Sequence, residues 1–353
     1  MKNIKESVDA VIEGAMIEIL ARTIQHNPDN AYAYDIRGLA YAQKCELDKS
    51  IQDFSKAIHI NPDFAETYFY RGLTYDKKGE LDRAIQDLSK AIQLKPDYAE
   101  ACFYRGLAYA RKGELEKAIQ DFSQAIQLKP DFAEAYFYRG FIYLITGKLG
   151  EAIEDYSRVI QLKPDDFDTY YLRGTACARK GELNQAIRDF SEAIQLKPDF
   201  AETYCKRGDV YFTKGELELA IADFSRAIQL DPGFTQPYYS RGDVYVQKGE
   251  LELAILDYSK AIQLKPDFAE TYCKRGSVYF TKGELGQAIA DFSRAIQLDP
   301  DSAEAYYIRG LAYARKGADA QAVRDWQKAM ELEPELLPEE IIRKIERFQR
   351  SGE

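Results

Sequence analysis

The sequence predicts an all-α array of stacked helix–turn–helix hairpins. Three observations predict it. Prolines fall at 28, 62, 96, 130, 164, 198, 232, 266, 300 and 334, always 34 residues apart. Arg-Gly pairs recur on the same step nine times, from Arg37-Gly38 to Arg309-Gly310. Between the prolines, apolar residues follow the 3.6-residue period of a helix rather than the alternation of a strand. A fixed period of this length marks a repeat array in which each hairpin covers its neighbour. The 353 residues therefore need not divide into conventional domains.

The elements follow in chain order. Residues 1–30 give an N-terminal capping helix with the stripe Val8, Val11, Ile12, Ala15, Ile19 and Leu20. The nine repeats are expected at 31–64, 65–98, 99–132, 133–166, 167–200, 201–234, 235–268, 269–302 and 303–336. The stretch 65–98, AETYFYRGLTYDKKGELDRAIQDLSKAIQLKPDY, stands for the rest. Its first helix carries Tyr68, Gly72 and Tyr75 at spacings of four and three, read as the core stripe. Gly79 supplies the C-cap conformation that ends this helix. The second helix carries Leu81, Ala84, Ile85, Leu88, Ala91 and Ile92 on one face. Pro96 stops it, and Asp97 stands near the next N-cap. In the first repeat Cys45 replaces the turn glycine. The link 231–237 carries Gly233 and Pro237, so extra freedom is expected there, with Pro237 opening the next helix. Residues 337–353 give a C-terminal capping helix that starts at Pro338 and lines up Ile341, Ile342, Ile345 and Phe348. The alternative for either end is self-association through its apolar face.

Within each repeat an Arg and an Asp recur together. Arg71 lies eight residues before Gly79, and Asp87 eight after it. In an antiparallel hairpin the two meet, which predicts nine ion pairs tying helix to helix. The competing reading is a ladder of phosphate-binding arginines, disfavoured because each Arg has a carboxylate available.

Composition narrows the function. Apolar residues make up 46% and charged residues 30%, a folding composition. The net charge is −10, which disfavours nucleic acid and anionic membranes as partners. No apolar run approaches a membrane span, and the first twenty residues lack the apolar core of a signal peptide. Five cysteines, an odd number, and no glycosylation sequon favour a reducing, cytoplasmic setting. Cys205 and Cys273 lie two repeats apart, too far for a disulfide. Two histidines, His26 and His59, and no phosphate-binding glycine loop leave no basis for an enzyme, metal or cofactor.

The residues Tyr68, Arg71-Gly72, Tyr75, Ala84, Leu88, Ala91 and Pro96 resemble the tetratricopeptide repeat family. Arg stands where that pattern usually has Leu, and Tyr where it has Trp. The resemblance covers residues 31–336. It implies a right-handed superhelical solenoid with the first helices on its concave side. It also implies a non-catalytic scaffold or adaptor that binds an extended or helical polypeptide segment. Two specialisations of the family find no support. Phe69, Leu73, Phe103 and Leu107 occupy the places of the carboxylate-clamp residues of chaperone-tail binders. Tyr70, Tyr104, Tyr138, Leu172 and Lys206 stand where the glycosyltransferase-type array has an asparagine ladder.

The residues of a first helix that avoid the stripe define the candidate groove. They are Phe69, Leu73, Glu100, Phe103, Leu107, Glu134, Phe137, Phe141, Tyr171, Tyr239 and Tyr307. Across the array this face holds eleven carboxylates against four cations, Lys77, Arg111, Arg179 and Arg315, a net of −7. An aromatic, acidic groove suits a protein or peptide segment with apolar anchors and Lys or Arg flanks. Packing of these aromatics against neighbouring helices is the competing reading. A nucleic-acid-binding helical repeat and the targeting module of an enzyme complex are the alternative functions. The first needs a basic groove, and the second needs a catalytic segment outside residues 31–336.

Overall fold

The computed structural model describes the backbone of residues 2–351 and the side chains of 14–350. All of its regular elements are helices. The chain divides into two compact parts, Met1–Ala176 and Cys177–Glu353, with the division inside α10. The first part holds α1 (Lys2–His26), α2 (Ala31–Gln43), α3 (Leu47–Ile60), α4 (Ala65–Lys78), α5 (Leu81–Leu94), α6 (Ala99–Arg111), α7 (Leu115–Leu128), α8 (Ala133–Ile145), α9 (Leu149–Leu162) and most of α10 (Phe167–Lys180). The second holds α11 (Leu183–Leu196), α12 (Ala201–Thr213), α13 (Leu217–Leu230), α14 (Thr235–Lys248), α15 (Leu251–Leu264), α16 (Ala269–Lys282), α17 (Leu285–Leu298), α18 (Ala303–Arg315), α19 (Asp319–Leu332) and α20 (Glu339–Ser351).

The turns form as their glycines require. Gly79, Gly113, Gly147, Gly181, Gly215, Gly249, Gly283 and Gly317 all take φ between 77° and 87°. Cys45 takes the same left-handed position at φ 59°, a strain of about 1 kcal/mol for a residue with a Cβ. The glycine of each Arg-Gly pair has another role. A Cβ on Gly106 would lie 2.8 Å from the Phe122 ring, so its absence lets the two helices of the hairpin close. The core is small residues around one large one: Ala118, Phe122 and Ala125 are fully buried, as are Ala84, Leu88 and Ala91.

Four expectations are corrected. Tyr68 and Tyr75 are half-buried beside the Arg71 guanidinium, each ring centroid 5.8 Å from it, and the core contact of that helix is made by Gly72 on Leu88. Asp97 does not cap α6: the N-cap residue is Tyr98, with no side-chain bond. Side-chain caps occur at Asn30 and Ser302, which accept from Ala33 and Ala305. In the N-terminal helix Ala15 and Ile19 face solvent, and the buried face runs through Ile17, Leu20 and Ile24. The side chains of Val8, Val11 and Ile12 lie outside the described residues. Gly233 keeps a negative-φ conformation, and its N–H donates to Asp231 Oδ1 at 2.9 Å. Pro237 is the third residue of α14 and is buried. The C-terminal stripe forms as read, with Ile341 and Ile345 buried and Phe348 beside them against α19.

Candidate functional site

Each hairpin has two chemically different sides. On one side the Arg–Asp pair forms as its symmetric spacing predicts. Arg71 Nε and Nη2 donate to Asp87 at 2.7 and 2.8 Å, and Arg105 repeats this on Asp121 at 2.7 Å for both. A third member was not anticipated. Arg71 Nη1 donates to Ser55 Oγ of the preceding repeat at 2.9 Å, and Arg105 Nη1 to Ser89 at 3.0 Å. The same bond recurs from Arg139 to Ser123, Arg241 to Ser225 and Arg309 to Ser293. Ser55 Oγ in turn donates to the Ile51 carbonyl at 2.6 Å. The pair therefore ties helix to helix within a repeat, and the serine ties one repeat to the next. The signal was present in the sequence, since Ser55, Ser89, Ser123 and Ser157 also fall 34 apart. These guanidiniums have their nitrogens committed, which removes the phosphate-ladder reading. Open cavities of about 690 and 530 Å³ lie here, around Arg37 with His59 and around Arg71 with Gln93.

The other side is formed by successive first helices, which touch one another as α2–α4, α4–α6, α12–α14 and α16–α18. Within each compact part the candidate residues lie on these first helices, at different depths. Phe69 and Phe103 are each 6% exposed, so they form a floor rather than free anchors. Phe69 packs on Tyr70, Tyr98 and Tyr104, with ring centroids 4.9–5.7 Å apart. Phe103 packs on Tyr104, Phe122, Phe132 and Tyr138 at 4.9–5.8 Å. Leu73, Leu107, Phe137, Tyr171, Tyr239 and Tyr307 are half-buried. Phe141 is free at 42% exposure, with Tyr138 and Ile145 exposed on the same face of its helix, and Tyr104 is exposed on α6. The exposed tyrosines occupy the register next to the expected one, and each buried phenylalanine is packed by rings of its own repeat and by a tyrosine from the following one.

The electrostatics also differ from the expectation. Lysines at the ends of second helices reach across to the carboxylates of first helices. Lys95 meets Glu66 at 3.2 Å, Lys129 meets Glu100 at 3.3 Å and Lys163 meets Glu134 at 2.5 Å. Lys163 holds the Glu134 carboxyl below its ordinary value. Lys274 meets Asp243 at 3.1 Å, and Arg111 meets Asp76 at 2.6 Å. These four lysines therefore offset Glu66, Glu100, Glu134 and Asp243, and the first helices are less acidic than their own residues suggest. Tyr239 instead donates its hydroxyl to Glu270 at 2.6 Å. A cavity of about 180 Å³ opens among Glu134, Phe137, Tyr138, Lys163 and Asp168.

Outside any disulfide, Cys102, Cys177 and Cys205 are buried, Cys273 is half-buried and Cys45 is exposed. Among the described residues, no group of His, Cys, Asp and Glu is placed to hold a metal, and no helix is long and apolar enough to cross a membrane.

Comparison with curated proteins finds no match. Among solved structures, the C-terminal part of a TPR repeat-containing protein from Cytophaga hutchinsonii is similar at 18% identity and a TM-score of 0.59. That likeness covers 67% of this chain and 97% of the other. MamA is similar at 32% identity over 46% of this chain and 94% of its own, with a TM-score of 0.44. YrrB, described as a TPR protein with an unusual peptide-binding site, is similar at 25% identity over 52% and 95%, with a TM-score of 0.47. The model for the TPR repeat matches residues 38–79, 72–113, 106–146, 142–181, 174–215, 208–247, 242–283 and 276–317. A second, for the tetratricopeptide repeat, matches 303–336. With repeat models matched from residue 38 to residue 336, the chain belongs to the tetratricopeptide repeat family.

Proposed function

We propose that this protein is a non-catalytic interaction scaffold that binds a polypeptide segment on its first-helix face, centred on Tyr104, Tyr138 and Phe141. The observation that carries the reading is the layering of aromatics. Exposed Tyr104 and Tyr138 rest on the buried ring of Phe103, at 5.2 and 5.8 Å. Rings held this way present apolar area and a hydroxyl while losing little freedom on binding. Tyr138, Phe141 and Ile145 follow one helical face of α8, which suits apolar anchors of a bound segment. The remaining carboxylates favour Lys or Arg flanks in that segment.

The test is selection of peptides from a random display library on the full chain, followed by titration against variants. Selected peptides are expected to carry apolar anchors. Tyr138→Ala with Phe141→Ala should weaken them by about ten- to a hundred-fold with circular dichroism unchanged. Peptides that bind the double variant as tightly as the original chain would move the site elsewhere.

A further inference from the structure

The first repeat inverts the pattern of the two that follow. Counting from the start of each repeat, the second position holds Glu66 and Glu100, and the fifth holds Phe69 and Phe103. The first repeat has Tyr32 and Asp35 at those places. In the second and third repeats the fifth-position ring packs on the aromatic that closes the repeat, Phe69 on Tyr98 and Phe103 on Phe132, both at 4.9 Å. A lysine of the same repeat then lies over the closing ring. Lys95 Nζ is 4.6 Å from the Tyr98 centroid, and Lys129 Nζ is 4.9 Å from that of Phe132. Those lysines are the ones that meet Glu66 and Glu100. Each of these repeats thus holds its own ammonium between an aromatic face and a carboxylate.

The first repeat has the aromatic and the carboxylate but not the ammonium. Asn61 stands where the lysine would be. Asp35 is too short to fill the room that a phenylalanine takes, and a cavity of about 210 Å³ remains, lined by Tyr32, Asp35, Ala57, Asn61, Phe64 and Thr67. Phe64, without an aromatic partner at the fifth position, is 46% exposed, whereas its counterpart Phe132 is 9% exposed. Asp35 itself is 9% exposed, and its Oδ1 meets no donor among the described residues. Burial pushes its carboxyl above the ordinary range, with Thr67 opposing and Glu66 adding to the rise. A buried carboxylate oxygen left without a donor is costly, and the cost is relieved by whatever supplies one.

We infer that this pocket receives a lysine side chain of a bound polypeptide, its ammonium on Asp35 and its methylenes between Tyr32 and Phe64. The inference rests on the first-helix face being a polypeptide-binding surface. It adds a specific anchor in the first repeat, chosen by charge complementarity and by the internal lysines that make contacts of the same kind one and two repeats along. Apolar stem and cationic head match aromatic mouth and carboxylate floor.

The probe is the blocked tripeptide Ala-Lys-Ala, with its norleucine and arginine counterparts, titrated into the full ¹⁵N-labelled chain. Amide resonances of residues 31–35 and 64–67 report the pocket. The lysine tripeptide should give saturable shifts there and bind about ten-fold more tightly than the norleucine one. Asp35→Asn should remove that preference without lowering the unfolding midpoint. Asp35→Phe, which reproduces the second and third repeats, should abolish binding. Equal binding of lysine and norleucine, lysine binding undiminished by Asp35→Asn, or preference for arginine would each overturn the assignment. Failure here leaves intact the peptide binding tested at Tyr138 and Phe141, which lie outside the pocket. Loss of that binding with the tripeptide still seated at Asp35 would count against the wider reading alone.

Discussion

Residues 199–232 and 267–300 share 31 of 34 positions and differ at Asp209/Ser277, Glu218/Gly286 and Leu219/Gln287. The ion pair and the burial of the central ring are the same in the two copies. Arg207 bonds Asp223 at 2.7 and 2.8 Å and Ser191 at 2.9 Å, while Arg275 bonds Asp291 at 2.8 and 2.7 Å and Ser259 at 2.8 Å. Phe224 and Phe292 are both fully buried. The first-helix face is not the same, even at identical residues. Cys205 is buried and packs in a cluster with Val244, whereas Cys273 is half-buried near Tyr306 and Ile308. Burial pushes the Cys273 thiol up to about 11 and the Cys205 thiol further. Glu218 meets Lys248 of the next repeat at 2.8 Å, and Gly286 has no side chain to continue that series. The ion pair and the buried ring are thus set within one repeat, and the first-helix surface is set by adjacent pairs. A repeat copied elsewhere in the array keeps its fold and acquires a new surface.

The largest test of this division is truncation of the core. Phe224→Ala and Phe292→Ala should each cost about 3–5 kcal/mol, equally in the two copies. In an array with nearest-neighbour coupling the loss should appear as faster hydrogen exchange in the altered repeat and those beside it. A difference between copies larger than about 1 kcal/mol, on the scale where independent sites cease to be equivalent, would show that neighbours shape the interior too. Asp223→Ala and Asp291→Ala come next, at about 3 kcal/mol each, because each leaves a partly buried guanidinium without its partner. Double-mutant cycles with Arg207→Ala and Arg275→Ala should show strong coupling, and additive effects would contradict the contact.

The glycines sharpen the comparison further. A Cβ on Gly208 would approach the Phe224 ring to 2.8 Å, whereas one on Gly276 would stay 3.2 Å from Phe292. Alanine favours a helix over glycine by about 1 kcal/mol, and overpacking costs about 1–3 kcal/mol. Gly208→Ala should therefore destabilise, and Gly276→Ala should lie near neutral. Urea unfolding of the two variants in parallel decides it, and equal losses would mean that both rings shift with the same ease.

What the sequence revealed follows the same line. The proline step, the turn glycines and the Arg–Asp pairs were legible because each is settled inside a single 34-residue unit. The depth of Phe69 and Phe103 was not, because one of the rings that pack on each, Tyr104 or Tyr138, comes from the following repeat. Helical period puts Phe69 and Tyr70 one position apart without saying which of them a neighbour will cover. Tyr68 and Tyr75 lie on a stripe with Gly72, as core residues do, yet that stripe also contains Arg71, and both rings flank its guanidinium. The lysines on the first-helix face were missed because Lys95 reaches Glu66 across 29 residues of chain. The serine of the tie was legible as well, since its hydroxyl repeats as strictly as the charges do.

The smallest expected effect isolates the one difference that lies on the first-helix face. Burial raises the Asp209 carboxyl above its ordinary value, against Lys206 on its own helix and Ser240, which donates to Asp209 Oδ1 at 3.2 Å from α14. A carboxyl raised by folding is stabilised in its protonated form. The native state therefore gives up stability as pH rises through the carboxylate range and regains it as pH falls. Asp209→Ser gives this copy the residue of the other and removes the titrating group. It should leave stability near that of the original chain below the carboxylate range and raise it by about 1 kcal/mol or less at neutral pH. The reverse change, Ser277→Asp, should be worse than a mirror image. The residue corresponding to Ser240 is Ile308, which offers the new carboxylate no hydroxyl. Urea unfolding of both variants at pH 7 and pH 3.5 provides the check. Equal and opposite shifts would mean that the Ser240 bond contributes nothing, and that the neighbouring repeat does not set the cost of the charge.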